Sequence, residues 1–301
     1  MKRLLKESIE RIGAYQPGKP IEELEREYGI KEAVKLASNE NPLGPSPKAV
    51  KAITATLQRI NRYPDSHGYY LREKLSQKLR IEPDNLCLGN GSDEIIQFIA
   101  HTFLRPGEEA IMGDPAFAFY QMVVAAADGR EVMVPLKDFS YDLSAMADRI
   151  TEKTKLIFIN TPLNPTGTII TREAFEGFLK RVPSGVLLVV DEAYGEYVRD
   201  TSYPNFLNYI KGEHKLIILR TFSKVYGLAG LRIGYGIADD YLIGCLNKIR
   251  GPFNTNLLAQ VAALAALDDE EHLTKTRIAN QEGLNYFYQA LDEMGIAYIP
   301  T

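Results

Sequence analysis

The chain has 301 residues, of which 45% are hydrophobic and 25% charged, the balance of a globular protein with a sizeable core, and its length suits one large domain with a smaller companion. Net charge is −4 with no long run of one sign, and Lys and Arg alternate with Glu over 21–32 and 71–80, so neither nucleic acid nor an anionic membrane is offered a surface to bind. No apolar run is long enough to span a bilayer, and the N-terminal MKRLLKESIERIG has basic residues without an apolar signal region behind them, so a cytoplasmic protein is expected. Cys87 and Cys245 lie far apart in apolar runs, which reads as buried free thiols, and the 4 histidines are scattered, so no metal site is expected.

The first stretch is irregular apart from a short helix over Ile21–Tyr28, opened after Pro20 and stopped at Gly29. Ser38–Pro47 is dense in turn residues and reads as an ordered loop, with Ser46 capping the next helix and Pro47 at its first position. From Leu86 the pattern becomes alternating strands and helices. Apolar runs at 86–89, 109–112, 131–134, 155–160, 186–190, 215–220 and 233–237 predict strands, with helical periodicity over 92–103, 117–127 and 171–181 between them. LIFIN and VLLVV are apolar throughout and rich in β-branched residues, as strands buried on both faces should be. The expected fold is therefore α/β: a three-layer α/β/α large domain on a mainly parallel sheet, plus a small α+β domain. Beyond Gly251-Pro252 the chain turns helical, with a long amphipathic segment over about 270–293 and a strand predicted at Ile296–Ile299. The division read from this is 1–44 as an N-terminal arm and part of the small domain, 45–250 as the large domain, and 251–301 as the start of the C-terminal part of the small domain.

In an open α/β sheet, ligands sit beyond the carboxyl ends of the strands. Three successive strand ends here carry polar groups: LIFIN runs into ThrProLeuAsnProThrGly with Asn164, VLLVV into Asp191-Glu192-Ala193-Tyr194, and LIILR into Thr221-Phe222-Ser223-Lys224. An amine, a carboxylate, an amide and a phenol suit pyridoxal phosphate. The amine of Lys224 bonds the cofactor's aldehyde and later moves a proton, Asp191 keeps the pyridine nitrogen protonated, and Asn164 and Tyr194 hydrogen-bond the ring oxygen. The phosphate needs a separate cradle, and LeuCysLeuGlyAsnGlySerAspGlu offers a strand, a glycine turn and a helix start. Backbone N–H groups of Gly91, Ser92 and Asp93 would point outward there, with Ser223 and Arg232 adding a hydroxyl and a charged fork. Each residue also has a plainer reading: Arg232 could pair with a carboxylate, Phe117 could be core packing, Tyr63 could anchor its loop, and Gly91–Asp93 could be an ordinary helix start.

AsnProThrGly, AspGluAlaTyr and SerLys followed by GlyLeuAlaGlyLeuArg, in that order, resemble the fold-type-I pyridoxal-phosphate-dependent aminotransferases. Within that family, AlaTyrGlnProGlyLysPro (14–20), SerAsnGluAsnProLeuGlyProSerPro (38–47) and ArgTyrProAsp (62–65) are similar to the N-terminal segments of the histidinol-phosphate aminotransferases. That resemblance implies amino transfer from L-histidinol phosphate to 2-oxoglutarate in histidine biosynthesis. It also implies a homodimer in which Tyr63 reaches the phosphate of the other subunit's site, Tyr15 and Asn41 at the substrate, and Phe117 stacked on the pyridine ring where relatives often carry tyrosine.

The rivals are an aromatic amino-acid aminotransferase, a phosphothreonine decarboxylase of similar appearance, a dinucleotide-binding oxidoreductase and a non-catalytic regulator that keeps the cofactor. The oxidoreductase needs GxGxxG after the first strand, and GlyAsnGlySerAspGlu supplies only its first two glycines. The regulator would need a DNA-binding arm or a basic patch, and neither is visible. The resembled family continues past the point where this sequence ends and supplies an arginine for the substrate's acidic group, whereas no arginine follows Arg277. A chain truncated at the C-terminus, its small domain incomplete, is therefore expected.

Overall fold

The structure is a computed structural model and describes residues 5–301 except 11, 16 and 17. Seven strands form one sheet: β1 (Leu86–Gly89), β2 (Glu109–Asp114), β3 (Arg130–Pro135), β4 (Thr154–Asn160), β5 (Leu187–Asp191), β6 (Lys215–Thr221) and β7 (Gly234–Ile237). Their order is β1-β7-β6-β5-β4-β2-β3, and only β7 runs against its neighbours. Each predicted strand over 86–237 is present, because runs such as Leu187–Val190 carry apolar side chains on both faces and can be satisfied only inside a covered sheet.

The helices are α1 (Glu7–Glu10), α2 (Ile21–Tyr28), α3 (Pro47–Thr56), α4 (Tyr69–Leu79), α5 (Ser92–Phe103), α6 (Phe119–Ala126), α7 (Leu143–Asp148), α8 (Arg172–Leu179), α9 (Asp240–Asn247), α10 (Leu257–Ala266) and α11 (Glu270–Glu293). Local chemistry fixes their starts. Ser46 Oγ accepts from Ala49 N with Pro47 in the first turn, and Thr171, Asp142, Asp239, Asn256 and Asp269 cap α8, α7, α9, α10 and α11 in the same way. Side chains alternate along β5: Leu188 and Val190 enter one core with residues of α3, α4, α7, α8 and α10, while Leu187 and Val189 enter the other with α5, α6 and α9. The result is the three-layer α/β/α architecture. Among the described residues no helix is long and apolar enough to cross a membrane.

Two expectations need correction. The helix predicted from 117 begins at Phe119, after the Pro115–Ala118 loop. Ile296–Ile299 forms no strand; a strand needs a neighbour for its N–H and C=O groups, and among the described residues no strand pairs with it. The segment instead folds back on α11, with the Tyr298 ring stacked on Tyr288 at 5.0 Å.

Candidate active site

The carboxyl ends of β4, β5 and β6 open onto a cleft of about 710 Å³ whose lining includes Asn39, Asn164, Tyr194, Lys224, Thr276 and Asn280. One wall comes from α11, the other from the strand-end loops. Lys224, half-buried, directs its Nζ at the backbone oxygens of Ser38 (2.8 Å) and Asn39 (3.3 Å) and lies 5.4 Å from the centre of the Tyr194 ring. Burial lowers the lysine from its ordinary value, and the carboxylates of Glu40 and Asp93 oppose that. Tyr194 is raised by burial, while Asn39 Nδ2 donates to its hydroxyl at 3.0 Å.

Asp191 closes β5 and is 4% exposed. Tyr120 Oη donates to its Oδ2 at 2.6 Å and Ala193 N to its Oδ1 at 3.0 Å. Burial pushes the carboxyl up to about 6, with these two donors pulling the other way. Asn160, at the end of β4, ties the neighbouring loop to this point: its Nδ2 donates to the Asp191 carbonyl at 3.0 Å and its Oδ1 accepts from Asn164 N at 2.7 Å. The loop carrying Asn164 is thus registered to the strand carrying Asp191.

At the other side, β1 ends in the Gly89–Gly91 turn that opens α5. Gly91 has φ +79°, and a Cβ there would stand 2.5 Å from Arg232 Nη2. Gly234 is packed as closely, since its Cβ would meet Ser92 N at 2.5 Å. Arg232, itself at φ +53°, donates to Asp93 Oδ2 at 2.9 Å and reaches Ser223 Oγ at 3.5 Å. A helix N-terminus, a hydroxyl and a guanidinium are therefore gathered in one place, where an anion would be favoured. Arg232 does pair with a carboxylate, yet its partner is Asp93 of the same turn.

The structure therefore brings together Lys224, Tyr194, Asp191, Asn164, Gly91, Ser92, Asp93, Ser223 and Arg232. Phe117 stands edge-on to Tyr120 at 5.5 Å, partly covered, on the Asp191 side. Asn41 does not line the cleft. Its Nδ2 bonds Val225 O and Thr276 Oγ1, both at 3.1 Å, pinning the Ser38–Pro47 loop to the turn after β6 and to α11. Tyr63 is 82% exposed with its ring stacked on Phe253 at 4.6 Å, and Tyr15 is 58% exposed; neither lines the cleft. Sequence reasoning missed Tyr120 and Asn160. Asn160 could have been noticed as the polar residue closing LIFIN, and Tyr120 only as a phenol one helical turn beyond Phe117.

The sequence profile of aminotransferase class I and II matches residues 31–301, and the chain belongs to that family. It is 52% identical over 297 residues to the histidinol-phosphate aminotransferase of Moorella thermoacetica, covering 98% of this chain and 77% of that one. It is 47% identical over 299 residues to histidinol-phosphate aminotransferase 2 of Carboxydothermus hydrogenoformans, covering 99% and 83%. Among solved structures it is similar to the Sinorhizobium meliloti histidinol-phosphate aminotransferase in complex with pyridoxal-5'-phosphate, with TM-score 0.90 and 28% identity over 99% of this chain and 80% of that one.

Proposed function

We propose that this chain is a pyridoxal-phosphate-dependent histidinol-phosphate transaminase. It would take the amino group of L-histidinol phosphate to 2-oxoglutarate, giving imidazole acetol phosphate and L-glutamate, in histidine biosynthesis and in the cytoplasm. The observation that carries the reading is the meeting of a desolvated amine (Lys224), a buried carboxylate with neutral donors (Asp191) and a preformed anion cradle (Gly91, Ser92, Arg232) around one cleft. The names of the relatives support the choice of substrate over an aromatic amino acid or a decarboxylation.

The donor set fits the cofactor. Lys224 would hold it covalently, Asp191 would face its ring nitrogen, and Asn164 and Tyr194 its ring oxygen. Phe117 would lie against its ring, while the N–H groups of Gly91, Ser92 and Asp93, with Ser223 and Arg232, would take its phosphate. When bound, pyridoxal phosphate supplies an aldehyde for the amine and a ring that accepts the electron pair left as the Cα proton departs. Lys224, lowered by burial, is suited to taking that proton from Cα and returning it on the cofactor's C4′, the carbon on the far side of the amino nitrogen, because a base works best with its pKa near the working pH. Asp191 holds the opposing charge, and the loop closed by Asn160 and Asn164 keeps the amide in reach.

The enzyme acts as a homodimer in this reading, with the exposed Tyr63 ring reaching the neighbouring subunit's site, the exposed Tyr15 ring on the substrate side, and Asn41 serving the substrate side by holding the Ser38–Pro47 loop in place. Residues 45–250 form the large domain, with 1–44 and 251–301 contributing to the smaller one. The test is direct. Purified protein loaded with pyridoxal phosphate is reduced with borohydride and mapped, and offered histidinol phosphate, phenylalanine, tyrosine and aspartate in turn. The label should fall on Lys224, Lys224→Ala should leave a folded protein with no detectable transamination, and histidinol phosphate should be the preferred donor. A label on another lysine would defeat the site, and preference for an aromatic donor would defeat the substrate.

A further inference from the structure

Tyr120 makes the deepest polar contact of this site. It is 0% exposed, its ring stacks on Phe158 at 4.7 Å and meets Phe117 edge-on at 5.5 Å, and its hydroxyl donates to Asp191 Oδ2 at 2.6 Å. The phenol ring is thus held by aromatic packing, and among the described residues its hydroxyl bonds one acceptor, Asp191 Oδ2. Burial, reinforced by Asp191, raises the phenol well above its ordinary range, so it remains a donor at any working pH.

Asp191 has little else to keep it charged. Burial pushes its carboxyl up, and Asp93 and Glu192 push the same way. Tyr141 and Tyr194 also feel its charge, and Lys224 is the cation that faces it. Against these stand two hydrogen bonds, and that from Tyr120 is the stronger, with Ala193 N the other. A carboxyl that accepts a proton here would lose the charge with which it could hold a cationic ring nitrogen.

We propose that Tyr120 is a positioning residue that keeps Asp191 ionised and fixes the direction of its carboxylate toward the cofactor. This rests on the pyridoxal-phosphate reading above, so the decisive measurement is made first without cofactor. Asp191 Cγ is followed by carbon-13 NMR in the full-length apo-protein, its resonance assigned by its disappearance in Asp191→Asn. In the parent protein it should titrate at about 6. Tyr120→Phe keeps the ring packing and removes only the donor; the midpoint should rise by about one to two pH units. Site-specific 3,5-difluorotyrosine at position 120, a stronger donor of nearly the same shape, should lower it, and keeps the test open even if Tyr120→Phe folds poorly. Equal midpoints in all three proteins would overturn the proposal and leave Tyr120 as packing alone.

The second arm uses the protein loaded with pyridoxal phosphate. The pH at which its visible absorbance changes should shift upward with Phe and downward with difluorotyrosine, in step with the carboxyl. A carboxyl that moves while the spectrum does not would overturn the positioning role. Failure of the parent protein to take up cofactor would instead overturn the reading of the site, with the apo titration still reporting whether Tyr120 controls Asp191.

Discussion

Asp191 and Glu192 are consecutive residues at the end of β5, 4% and 3% exposed, and the sheet's alternation sends them to opposite faces. On one side Asp191 meets neutral donors, the Tyr120 hydroxyl and the Ala193 N–H, and burial holds it up at about 6. On the other, Glu192 Oε2 takes both Nε and Nη2 of Arg220, at 2.9 and 2.8 Å, with the Tyr203 hydroxyl 3.2 Å from Oε1. Burial works against the Arg220 charge, but Glu192, with Tyr235 and Glu196 adding to it, more than offsets that and raises the guanidinium. Equal burial therefore gives two different carboxylates. Glu192 is matched by a permanent cation and has no charge left to offer, whereas Asp191 is hydrogen-bonded but unmatched, and responds to whatever cation arrives. That asymmetry separates a structural acid from a candidate catalytic one.

The comparison breaks most visibly through stability. Glu192→Ala strands the Arg220 guanidinium, whose side chain is only 19% exposed, and removing one partner of a buried pair costs about 3–5 kcal/mol. Urea denaturation should show that loss, while turnover per folded molecule at low temperature stays within a few-fold of the parent. Asp191→Asn should do the reverse: little change in the urea midpoint, and a fall of roughly 10²–10³ in the rate of Cα proton transfer with cofactor bound. Rapid-mixing half-reactions with histidinol phosphate measure it. If Asp191→Asn unfolds the protein and Glu192→Ala slows the chemistry, the two faces have been assigned the wrong way round.

Much of this was legible in the residues. Runs such as Lys155–Asn160 and Val186–Val190 are too apolar and too β-branched for anything but covered strands, and strand ends are where α/β sheets place ligands, so Asn164, Asp191 and Lys224 could be found without coordinates. What stayed hidden depends on sheet order. Tyr120 and Asp191 are 71 residues apart and meet across β4, because β2 and β4 are neighbours while β3 lies at the edge. Periodicity does not encode that order. Nor does it tell which acid a given arginine will choose: Arg220 took Glu192 and Arg232 took Asp93. Ile296–Ile299 failed as a strand for the same reason, since an apolar run specifies burial and leaves its partner unspecified.

The finest test of the contrast is a third acid, Glu196, on the turn just after β5 and on the Glu192 side. Its Oε2 is sealed from solvent without a hydrogen-bond partner among the described residues, and Arg277 Nε bonds its backbone oxygen at 2.7 Å instead of its carboxylate. Burial pushes the carboxyl up to about 7, Arg220 and Arg277 pull it down, and Glu192 adds to the rise. Tyr197, Tyr226 and Tyr235 feel its charge as well. Because the folded value lies above the ordinary 4.5, folding favours the protonated form. The associated stability is complete below that ordinary value and is lost as pH rises through about 7. Between pH 5 and pH 7 the loss should come to about 2 kcal/mol. Glu196→Gln has no proton to lose, so its unfolding free energy should fall less steeply over this window, and the difference between the two proteins isolates Glu196 because Asp191 titrates in both. Urea unfolding at half-unit steps from pH 5 to pH 8 gives the two curves. Parallel curves would mean that Glu196 is ionised throughout, held by Arg220 and Arg277 as Glu192 is held, and that this face of β5 tolerates no uncompensated acid at all.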